Sequence, residues 1–447
     1  MQTHAANRKG RNRAPRLCAI FLLILAGTGL AHANICRVTT GGSTGGTGTW
    51  GFPMALQTAL TTSTCTEVWV AAGVYKPGTM TTDTFNIQPG VAVYGGFAGN
   101  ETSRGERDPA AHITILSGDI DNNDTYTNGN NIVENYGDVS GSNSYHIITM
   151  DGTGGTSITA STVLDGFTIT GGVAYSTQPN GGGLHCSGQG SGRECSPTLS
   201  NLTFSGNSAL SGSGGAIYND GTSGGTSSPI LSNVTFSGNG AQTGGAMYNG
   251  GENGTSSPIL SNVTFSGNTA YDGGAMVNWG INGGTSSPTL SNVTFNGNDA
   301  YDGGAMANVG NSGNSVPALS NAILWGDTAI NSHPEIYNIS ATPVIDHSVV
   351  QGSGGSAGWD MALGTDGGGN LGTDPVLGPL GIHGGSTATL LLGTGSSAID
   401  AGDDAVCTAA PVNGLDQRGV TRPQGAQCDI GAAEMDTIFA DGFELAP

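Results

Sequence analysis

Apolar and polar residues recur along this chain in a phrase that repeats about every 30 residues. In Val234-Thr-Phe-Ser237, the apolar residues Val234 and Phe236 alternate with polar neighbours, which is the pattern of a half-buried β-strand. Copies of the phrase begin at five prolines that are 32, 29, 30 and 29 residues apart: Pro197, Pro229, Pro258, Pro288 and Pro317. A fixed period of this length predicts a solenoid of stacked coils.

A second phrase, Gly-Gly-Ala followed by Ile or Met, lies between the copies of the first. Its apolar position is expected to face inward in every copy: Ile217, Met247, Met276 and Met306. The residue after it varies, as surface positions do: Tyr218, Tyr248, Val277 and Ala307. Leu231 lies three residues before Val234, which breaks the period of two and predicts a corner at residues 232–233. Three short strands per coil predict an all-β, single-stranded parallel β-helix of about 12 coils.

Stacking of the coils would place equivalent residues in columns about 4.8 Å apart. One column of aromatic residues is expected inside the solenoid: Phe204, Phe236, Phe265 and Phe295. Two columns of asparagine are expected to form amide ladders: Asn207, Asn239, Asn268 and Asn298, and Asn219, Asn249, Asn278 and Asn308. A column of threonine is expected on the outer face: Thr203, Thr235, Thr264 and Thr294.

The sequence divides into five segments. Residues 1–33 combine a basic start, an apolar stretch and an Ala-His-Ala site, which together predict a signal peptide. Residues 34–66, with a predicted helix at 52–61, are expected to cap the solenoid. The solenoid is predicted to span residues 67–395, with its clearest repeats at 197–327. A small region at 396–435 and a tail at 436–447 follow.

Charge restricts the classes of partner. Removal of the signal peptide leaves seven basic residues and all 33 acidic ones, a net charge of −26. No Lys or Arg occurs from Glu194 to Gln417. Nucleic acid and other polyanions are therefore poor partners for this stretch, since their recognition depends on basic side chains. After export no segment is expected to remain integral to the membrane.

Six cysteines remain after the signal peptide is removed, and they fall into three pairs that are local in sequence. An even number in an exported chain favours disulfides, although six cysteines allow 15 connectivities. The pairs are Cys36 with Cys65, Cys186 with Cys195, and Cys407 with Cys428.

Several of these motifs resemble those of known families. Gly-Gly-Ala-Ile/Met together with Phe-x-x-Asn is similar to the repeat of chlamydial polymorphic outer membrane proteins; in this chain the second motif lies at 204–207, 236–239, 265–268 and 295–298. Three segments resemble the first coils of exported bacterial proteins of the pectin-lyase-like superfamily: residues 68–75, 90–102 and 115–120. Four others resemble the choice-of-anchor Q domain: residues 397–402, 416–419, 422–423 and 428–431. Residues 438–444 are similar to a short tail of other exported bacterial proteins.

These resemblances imply a right-handed parallel β-helix that is exported to the cell surface or secreted. The lyases of the superfamily also combine clustered acids with a basic residue on the face of the helix. The stretch from Glu194 to Gln417 has no Lys or Arg to complete such a site.

Two groups of acidic residues are candidates for chemistry. Asp272 and Asp302 occupy equivalent places in successive repeats, so stacking would bring their carboxylates about 5 Å apart. A pair at that distance can share a proton, hold calcium or act as in a retaining glycosidase, and it can also be a pair of solvated loop residues. Asp119, Asp121 and Asn123 match the first three ligand positions of a calcium-binding loop. The alternative interpretation of this segment is an acidic loop that binds no ion.

Outward aromatic residues are the candidates for ligand binding: Tyr218, Tyr248, Tyr271, Trp279 and Tyr301. The preferred interpretation is an exported, non-enzymatic protein of adhesion or surface interaction, with a glycan or another cell surface as partner. It requires no cofactor, and calcium is the one candidate ion. The alternatives are a polysaccharide-active enzyme on the same fold and a passive or calcium-binding component of the cell surface.

Overall fold

The computed structural model describes residues 34–175 and 177–436. The predicted signal peptide and all of the predicted tail except Asp436 lie outside the described residues. No helix within these two ranges is long and apolar enough to cross a membrane.

The described chain is almost entirely built of short strands. Those before the repeats are β1 (Ile35–Ser43), β2 (Glu67–Ala71), β3 (Gly73–Tyr75), β4 (Phe85–Asn86), β5 (Ala92–Phe97), β6 (Thr114–Ser117), β7 (Ile148–Asp151), β8 (Val163–Thr170) and β9 (Leu184–Ser187). Those of the repeats are β10 (Thr198–Ser205), β11 (Ser208–Ser213), β12 (Ile217–Asp220), β13 (Ile230–Ser237), β14 (Gly240–Thr243), β15 (Met247–Gly250), β16 (Ile259–Ser266), β17 (Met276–Trp279), β18 (Thr289–Asn296), β19 (Asp299–Asp302) and β20 (Met306–Val309).

The remaining strands are β21 (Ala318–Ser320), β22 (Ile323–Trp325), β23 (Thr328–Ser332), β24 (Ile336–Ile339), β25 (Val344–Asp346), β26 (Val349–Val350), β27 (Thr365–Gly368), β28 (Leu377–Gly381) and β29 (Thr389–Leu392). The two α-helices are α1 (Leu56–Thr61) and α2 (Asp404–Thr408). Single 3-10 turns lie at Arg104–Glu106, Tyr136–Asp138 and Met361–Leu363.

Strands from successive coils pair in parallel, which is the arrangement of a β-helix solenoid. The largest sheet, sheet 1, runs in the order β1-β2-β5-β8-β10-β13-β16-β18-β21-β25-β27, with β3, β6, β22 and β26 beside this path. Sheet 2 runs β24-β20-β17-β15-β12-β9-β7-β4. Sheet 3 is formed by the pairs β11-β14 and β19-β23. The prediction of a parallel β-helix is confirmed.

The register explains why the repeat must be so regular. Phe204, Phe236 and Phe265 are direct partners across adjacent strands, and each is fully buried. Their rings stack with centroids 4.7–5.2 Å apart, and Phe295 continues the stack. A smaller side chain at this position in one coil would leave a void against the phenylalanine rings of both neighbouring coils.

The predicted corner is an asparagine in the left-handed backbone region. Asn233 has φ of 56° in the middle of β13, and its equivalents Asn201, Asn262 and Asn292 have φ between 51° and 54°. Asparagine tolerates this conformation better than other non-glycine residues. The corner turns one eight-residue strand into two flat segments, so Leu231 and Val234 both face the core.

The first asparagine ladder is continuous through the core. In each step the side-chain amide and backbone amide of one residue donate to the side-chain oxygen of the next, over 2.9–3.1 Å from Asn207 to Asn298. The same side chains also donate to backbone carbonyls such as that of Phe236. The ladder ends on Asp327, which accepts both bonds from Asn298 at 2.7 Å.

The second ladder runs along sheet 2 from Asn219 to Asn308 at 2.8 Å per step. It then extends beyond the prediction, since Asn308 donates to Asn338 at 2.9 Å and Asn338 donates to the carbonyl of Ala362. Both predicted ladders are confirmed.

The N-terminal segment closes one end of sheet 1. Strand β1 pairs in parallel with β2, and the helix α1 packs Leu56 and Leu60 into the core. This helix begins four residues later than predicted, because Pro53 and Met54 are taken up by the turn that pairs with β1. The disulfide Cys36–Cys65 links β1 to the segment before β2.

The threonine column does not reach the surface, which corrects the expectation for its outer face. Thr235, Thr264 and Thr294 are at most 1% exposed, whereas Thr203 is half-buried. They are covered by a segment that we term the C-terminal cover, residues 377–435. After β27 the described chain has one more parallel bridge, Leu371 with Val349, and then β28 pairs with β29 in antiparallel fashion. The C-terminal cover therefore includes residues on both sides of the predicted boundary at 395.

Gln417 is the central contact of the C-terminal cover. Its side-chain amide donates to the hydroxyl of Thr235 at 2.9 Å, and its side-chain oxygen accepts from Thr264 at 2.7 Å. The backbone amide of Ala432 donates to Thr294 at 3.0 Å. The column therefore serves as a docking surface within the molecule.

Buried ion pairs and a disulfide hold the C-terminal cover together. Arg422 is fully enclosed and contacts Glu434 at 3.1 Å, while burial lowers the pKa of Arg422 against the opposing effect of Glu434. The disulfide Cys407–Cys428 ties α2 to the segment that carries these residues. With Cys186–Cys195 between β9 and the start of the repeats, all three predicted disulfides are present.

We expect Asn268→Ala to lower the free energy of unfolding by about 3 kcal/mol, because the buried amides of Asn239 would lose their acceptor. Urea unfolding followed by circular dichroism measures this change. Gln242→Ala, an exposed amide on the preceding coil, is the matched control and should change stability by less than about 0.5 kcal/mol. Equal losses in both variants would contradict the role given to the ladder.

Thr264→Val should destabilise the protein by about 1–3 kcal/mol, since it leaves the buried side-chain oxygen of Gln417 without its donor. Thr203→Val changes the same column at a half-buried position, where no described residue hydrogen-bonds the threonine hydroxyl, so its effect should be small. The urea midpoints of the two variants are compared. An equally large loss of stability in the Thr203 variant would show that contacts between the threonine column and the cover do not account for the effect.

Candidate functional site

The tyrosine–aspartate tips form a regular stack at one corner of the solenoid. Tyr271 and Tyr301 are 56% and 37% exposed, and their rings stack at 4.8 Å between centroids, only 5° from parallel. Each ring therefore covers one face of the other, which leaves a single free face per ring. The sequence predicts this proximity, but a sugar could stack only on the outer face of either ring.

Asp272 and Asp302 are in register on adjacent coils. Asp302 is buried and its two carboxylate oxygens accept from the side-chain amide of Asn331 at 3.1 and 3.4 Å. Burial, with a contribution from the charge of Asp302, raises the pKa of Asp272. The carboxylates are thus neighbours as predicted, and one of them is held by a structural hydrogen bond.

The acidic loop after β6 has its own internal partners. Asp119 is fully buried and accepts from the hydroxyl of Tyr126 and the backbone amide of Asn123. Asp121 accepts from the backbone amide of Ser142 at 3.1 Å. These bonds hold the loop together, and separate bonds from Ser205 to the carbonyl of Val133 and from the amide of Tyr136 to the carbonyl of Gly238 attach it to the repeats. Within residues 34–175 and 177–436, no three His, Cys, Asp or Glu side chains are grouped as a metal site would group them.

The outward positions of sheet 2 differ from their predicted exposure. Val277 and Ala307 are 2% and 1% exposed, so they are not the variable surface positions that the sequence suggests. Tyr218 and Tyr248 are half-buried and stack at 5.3 Å. Trp279 lies two residues farther along its strand, half-buried and opposite Val309.

A cleft that the sequence pattern does not predict lies beside Tyr218, at the start of the column of outward side chains on sheet 2. Successive strands place Thr149, His185 and Tyr218 side by side on sheet 2. Two residues farther along the same strands, Asp151, Ser187 and Asp220 form a second row. Both rows line a cavity of about 520 Å³, whose remaining wall includes Asn86, Pro179, Asn180 and Gln189.

The two aspartates of the cleft are oriented in the same way. Asp151 accepts from the backbone amide and hydroxyl of Thr153 at 2.8 and 2.6 Å. Asp220 accepts from the same groups of Thr222 at 3.1 and 2.7 Å. In each case a single carboxylate oxygen takes both bonds. The sequence Asp-Gly-Thr, which occurs at 151–153 and 220–222, is the signal that could have identified them.

Two histidines extend the aromatic column into the cleft. The ring of His185 lies 5.1 Å from that of His146 and 5.4 Å from that of Tyr218, tilted by 40° and 49°. Burial lowers the pKa of both histidines to about 4, and for His146 the neighbouring His185 adds to the effect. Both rings are therefore neutral at physiological pH. The Nδ1 of His146 lies 3.0 Å from the carbonyl of Gly181, to which it donates.

A second pair of perturbed acids lies in the core rather than in a cleft. Asp327 and Glu335 are 4% and 1% exposed, and burial raises the pKa of both, while the charge of Asp327 raises that of Glu335 further. Among the described residues, neither Glu335 oxygen has a donor, and one oxygen of Asp327 lacks one too. A proton held by one carboxyl and donated to the other satisfies the pair.

One comparison with known proteins finds a match. The model of the Chlamydia polymorphic membrane protein repeat matches residues 201–220, which run from the corner in β10 to the end of β12. Comparison with curated proteins gives no match. Part of one coil of this chain is thus similar to the Chlamydia polymorphic membrane protein repeat, in agreement with the resemblance seen in the sequence.

The buried acid pair predicts a pH dependence of stability. Because both pKa values are raised in the folded protein, the pair stabilises it fully below the ordinary carboxyl values of 3.8 and 4.5, and this contribution falls as pH rises above them. In an Asp327→Asn variant, the side-chain oxygen of the new asparagine can still accept the bonds from Asn298. The melting temperature of this variant should therefore fall less between about pH 5 and about pH 8 than that of the unchanged protein.

Differential scanning calorimetry at the two pH values gives this difference. Asp299→Asn, an exposed acid directly after the ladder residue Asn298, is the control and should keep the pH dependence of the unchanged protein. If the melting temperatures of Asp327→Asn and Asp299→Asn fall equally between the two pH values, the buried acid pair is not the source of the pH dependence of stability.

Proposed function

We propose that this protein is exported to the bacterial cell surface, or released from it, and acts there without catalysis in adhesion or glycan interaction. The observation that carries the proposal is the repeat similar to that of Chlamydia polymorphic membrane proteins, set in a solenoid of parallel strands stacked coil on coil. The three disulfides support export, because such bonds persist in oxidising compartments.

The charge of the chain restricts the partner further. A net charge of −26 after removal of the signal peptide, with no base from Glu194 to Gln417, disfavours nucleic acid and acidic polysaccharides. A right-handed β-helix of the pectin-lyase-like kind and a choice-of-anchor Q-like region at residues 396–435 belong to the same proposal. Calcium is the one ion that we propose as a partner of the acidic loops.

Surface exposure can be tested on a cell that expresses the tagged full-length protein. We expect the tag in the outer-membrane or medium fraction, and cleavage of cell-bound protein by an added protease. Proteinase K is suitable, whereas trypsin has no site from Glu194 to Gln417. Loss of the gene should reduce attachment to a glycan-coated surface. Retention of the protein inside the cell, protected from protease, would contradict the proposal.

A polysaccharide-active enzyme is the alternative, and one feature of the cleft favours it. Asp151 and Asp220 lie on strands separated by one other strand, hence roughly 10 Å apart, close to the spacing of carboxylates in inverting glycosidases. Incubation with neutral and acidic polysaccharides, with and without calcium, decides between the two. Cleavage that disappears in Asp151→Asn or Asp220→Asn, or in Asp272→Asn or Asp302→Asn, would replace binding by catalysis.

A further inference from the structure

The cleft on sheet 2 has the dimensions of a small-molecule site. Its volume of about 520 Å³ falls within the range of roughly 300–1,000 Å³ that is usual for ligand pockets. Its floor is formed by strands β7, β9 and β12, whose hydrogen-bonded pairing fixes the outward side chains. A site built on paired strands holds its side chains more rigidly than one built on loops alone.

Several polar atoms of this cleft are not used by the fold. His185 has ring contacts with His146 and Tyr218, yet neither of its nitrogens is hydrogen-bonded to any described residue. The hydroxyl of Tyr218 likewise has no partner among residues 34–175 and 177–436. Thr153 and Thr222 each bond to one carboxylate oxygen of Asp151 and Asp220, and the other oxygen of each has no hydrogen-bond donor among the described residues.

These atoms supply both donors and acceptors. Burial and the nearby charges of Asp220 and Glu252 raise the pKa of Tyr218, so its hydroxyl keeps its proton and can donate. The neutral ring of His185 offers one donor and one acceptor, and the free carboxylate oxygens accept. Such a mixture matches a ligand that carries many hydroxyl groups.

The charge of the cleft excludes one class of sugar. Two aspartates line it and no Lys or Arg does, so a uronic acid or sulfated sugar would place its anion beside Asp220 without a counter-charge. Hydroxyl, acetamido and amino groups have no such penalty. Asn86 and Gln189 also line the cleft, where the side-chain nitrogen of Gln189 donates to the hydroxyl of Thr222 at 3.1 Å.

The stacked tyrosines of the repeats lack this combination. Tyr271 and Tyr301 stand at an exposed corner, where Asp302 is already held by Asn331. The outward column of sheet 2 also changes beyond Tyr248, because the equivalent residues Val277 and Ala307 have no polar side-chain group. The cleft is therefore confined to the coils where the column carries histidine and tyrosine.

We propose that the cleft lined by Asp151, His185, Tyr218 and Asp220 binds a saccharide that bears hydroxyl, acetamido or amino groups and no acidic groups. This inference rests on the proposed function, of which it names the binding site and the ligand class. The carboxylates accept hydrogen bonds from sugar hydroxyls, and the neutral histidine accepts one and donates another. The apolar surface of the aromatic rings contacts the carbon face of the sugar ring.

The test is isothermal titration of the full-length exported protein with four oligosaccharide probes. They are a β-1,4-glucan oligomer, an N-acetylated chito-oligomer, its deacetylated form and an oligogalacturonate. We expect binding of at least one of the first three and none of the oligogalacturonate. The first three arms distinguish hydroxyl, acetamido and amino recognition. Binding of the oligogalacturonate with equal affinity, or of none of the four at millimolar concentration, would overturn the inference.

Matched variants place the binding in this cleft. Asp220→Asn keeps the acceptor for Thr222, and Tyr218→Phe keeps the stacked ring, so both should fold, and each should weaken binding about tenfold or more. Asp272→Asn and Tyr271→Phe make the same changes on the exposed corner and should leave binding unchanged. Equal losses in both pairs would refute the location.

The two proposals fail separately. If no probe binds while the protein is found on the cell surface and supports attachment, the cleft is not the saccharide site and the surface role stands. If the probes bind but the protein stays inside the cell, the surface role is wrong and the site stands. Melting temperatures of all four variants verify that each is folded.

Discussion

In-register pairing of parallel strands is the constraint on which the rest of this structure depends. Each side chain has as its neighbours the equivalent residues one coil before and after it, so Phe236 packs on Phe204 and Phe265, and Asn239 bonds Asn207 and Asn268. A column of identical residues satisfies this constraint without any further adjustment. That is why the repeat tolerates so little variation inside and at the corners.

The same constraint determines where features other than stacked columns of identical residues can occur. Where the first ladder ends, Asn gives way to Asp327, and a buried acid pair results. Where sheet 1 leaves a regular threonine column, the C-terminal cover docks through Gln417. Where the outward column of sheet 2 changes from Thr149 through His185 to Tyr218, a cleft opens.

Much of this fold follows from the sequence, because a repeat converts local patterns into long-range contacts. The period predicts that Phe265 lies beside Phe295, although 30 residues separate them. The cleft could not be predicted in this way, since His185 and Asp151 belong to coils of irregular length. Nor could the burial of Thr264, because its cover comes from a segment with no repeat of its own.

The central claim is that recognition lies where the columns are broken and that the regular repeat serves only as scaffold. Hydrogen–deuterium exchange with and without a bound neutral or amino-sugar oligosaccharide tests it most directly. The account predicts slower exchange confined to the amides of β7, β9 and β12 and of the loop before β9. Slower exchange spread along the repeats at 230–309, with the cleft unchanged, would contradict it.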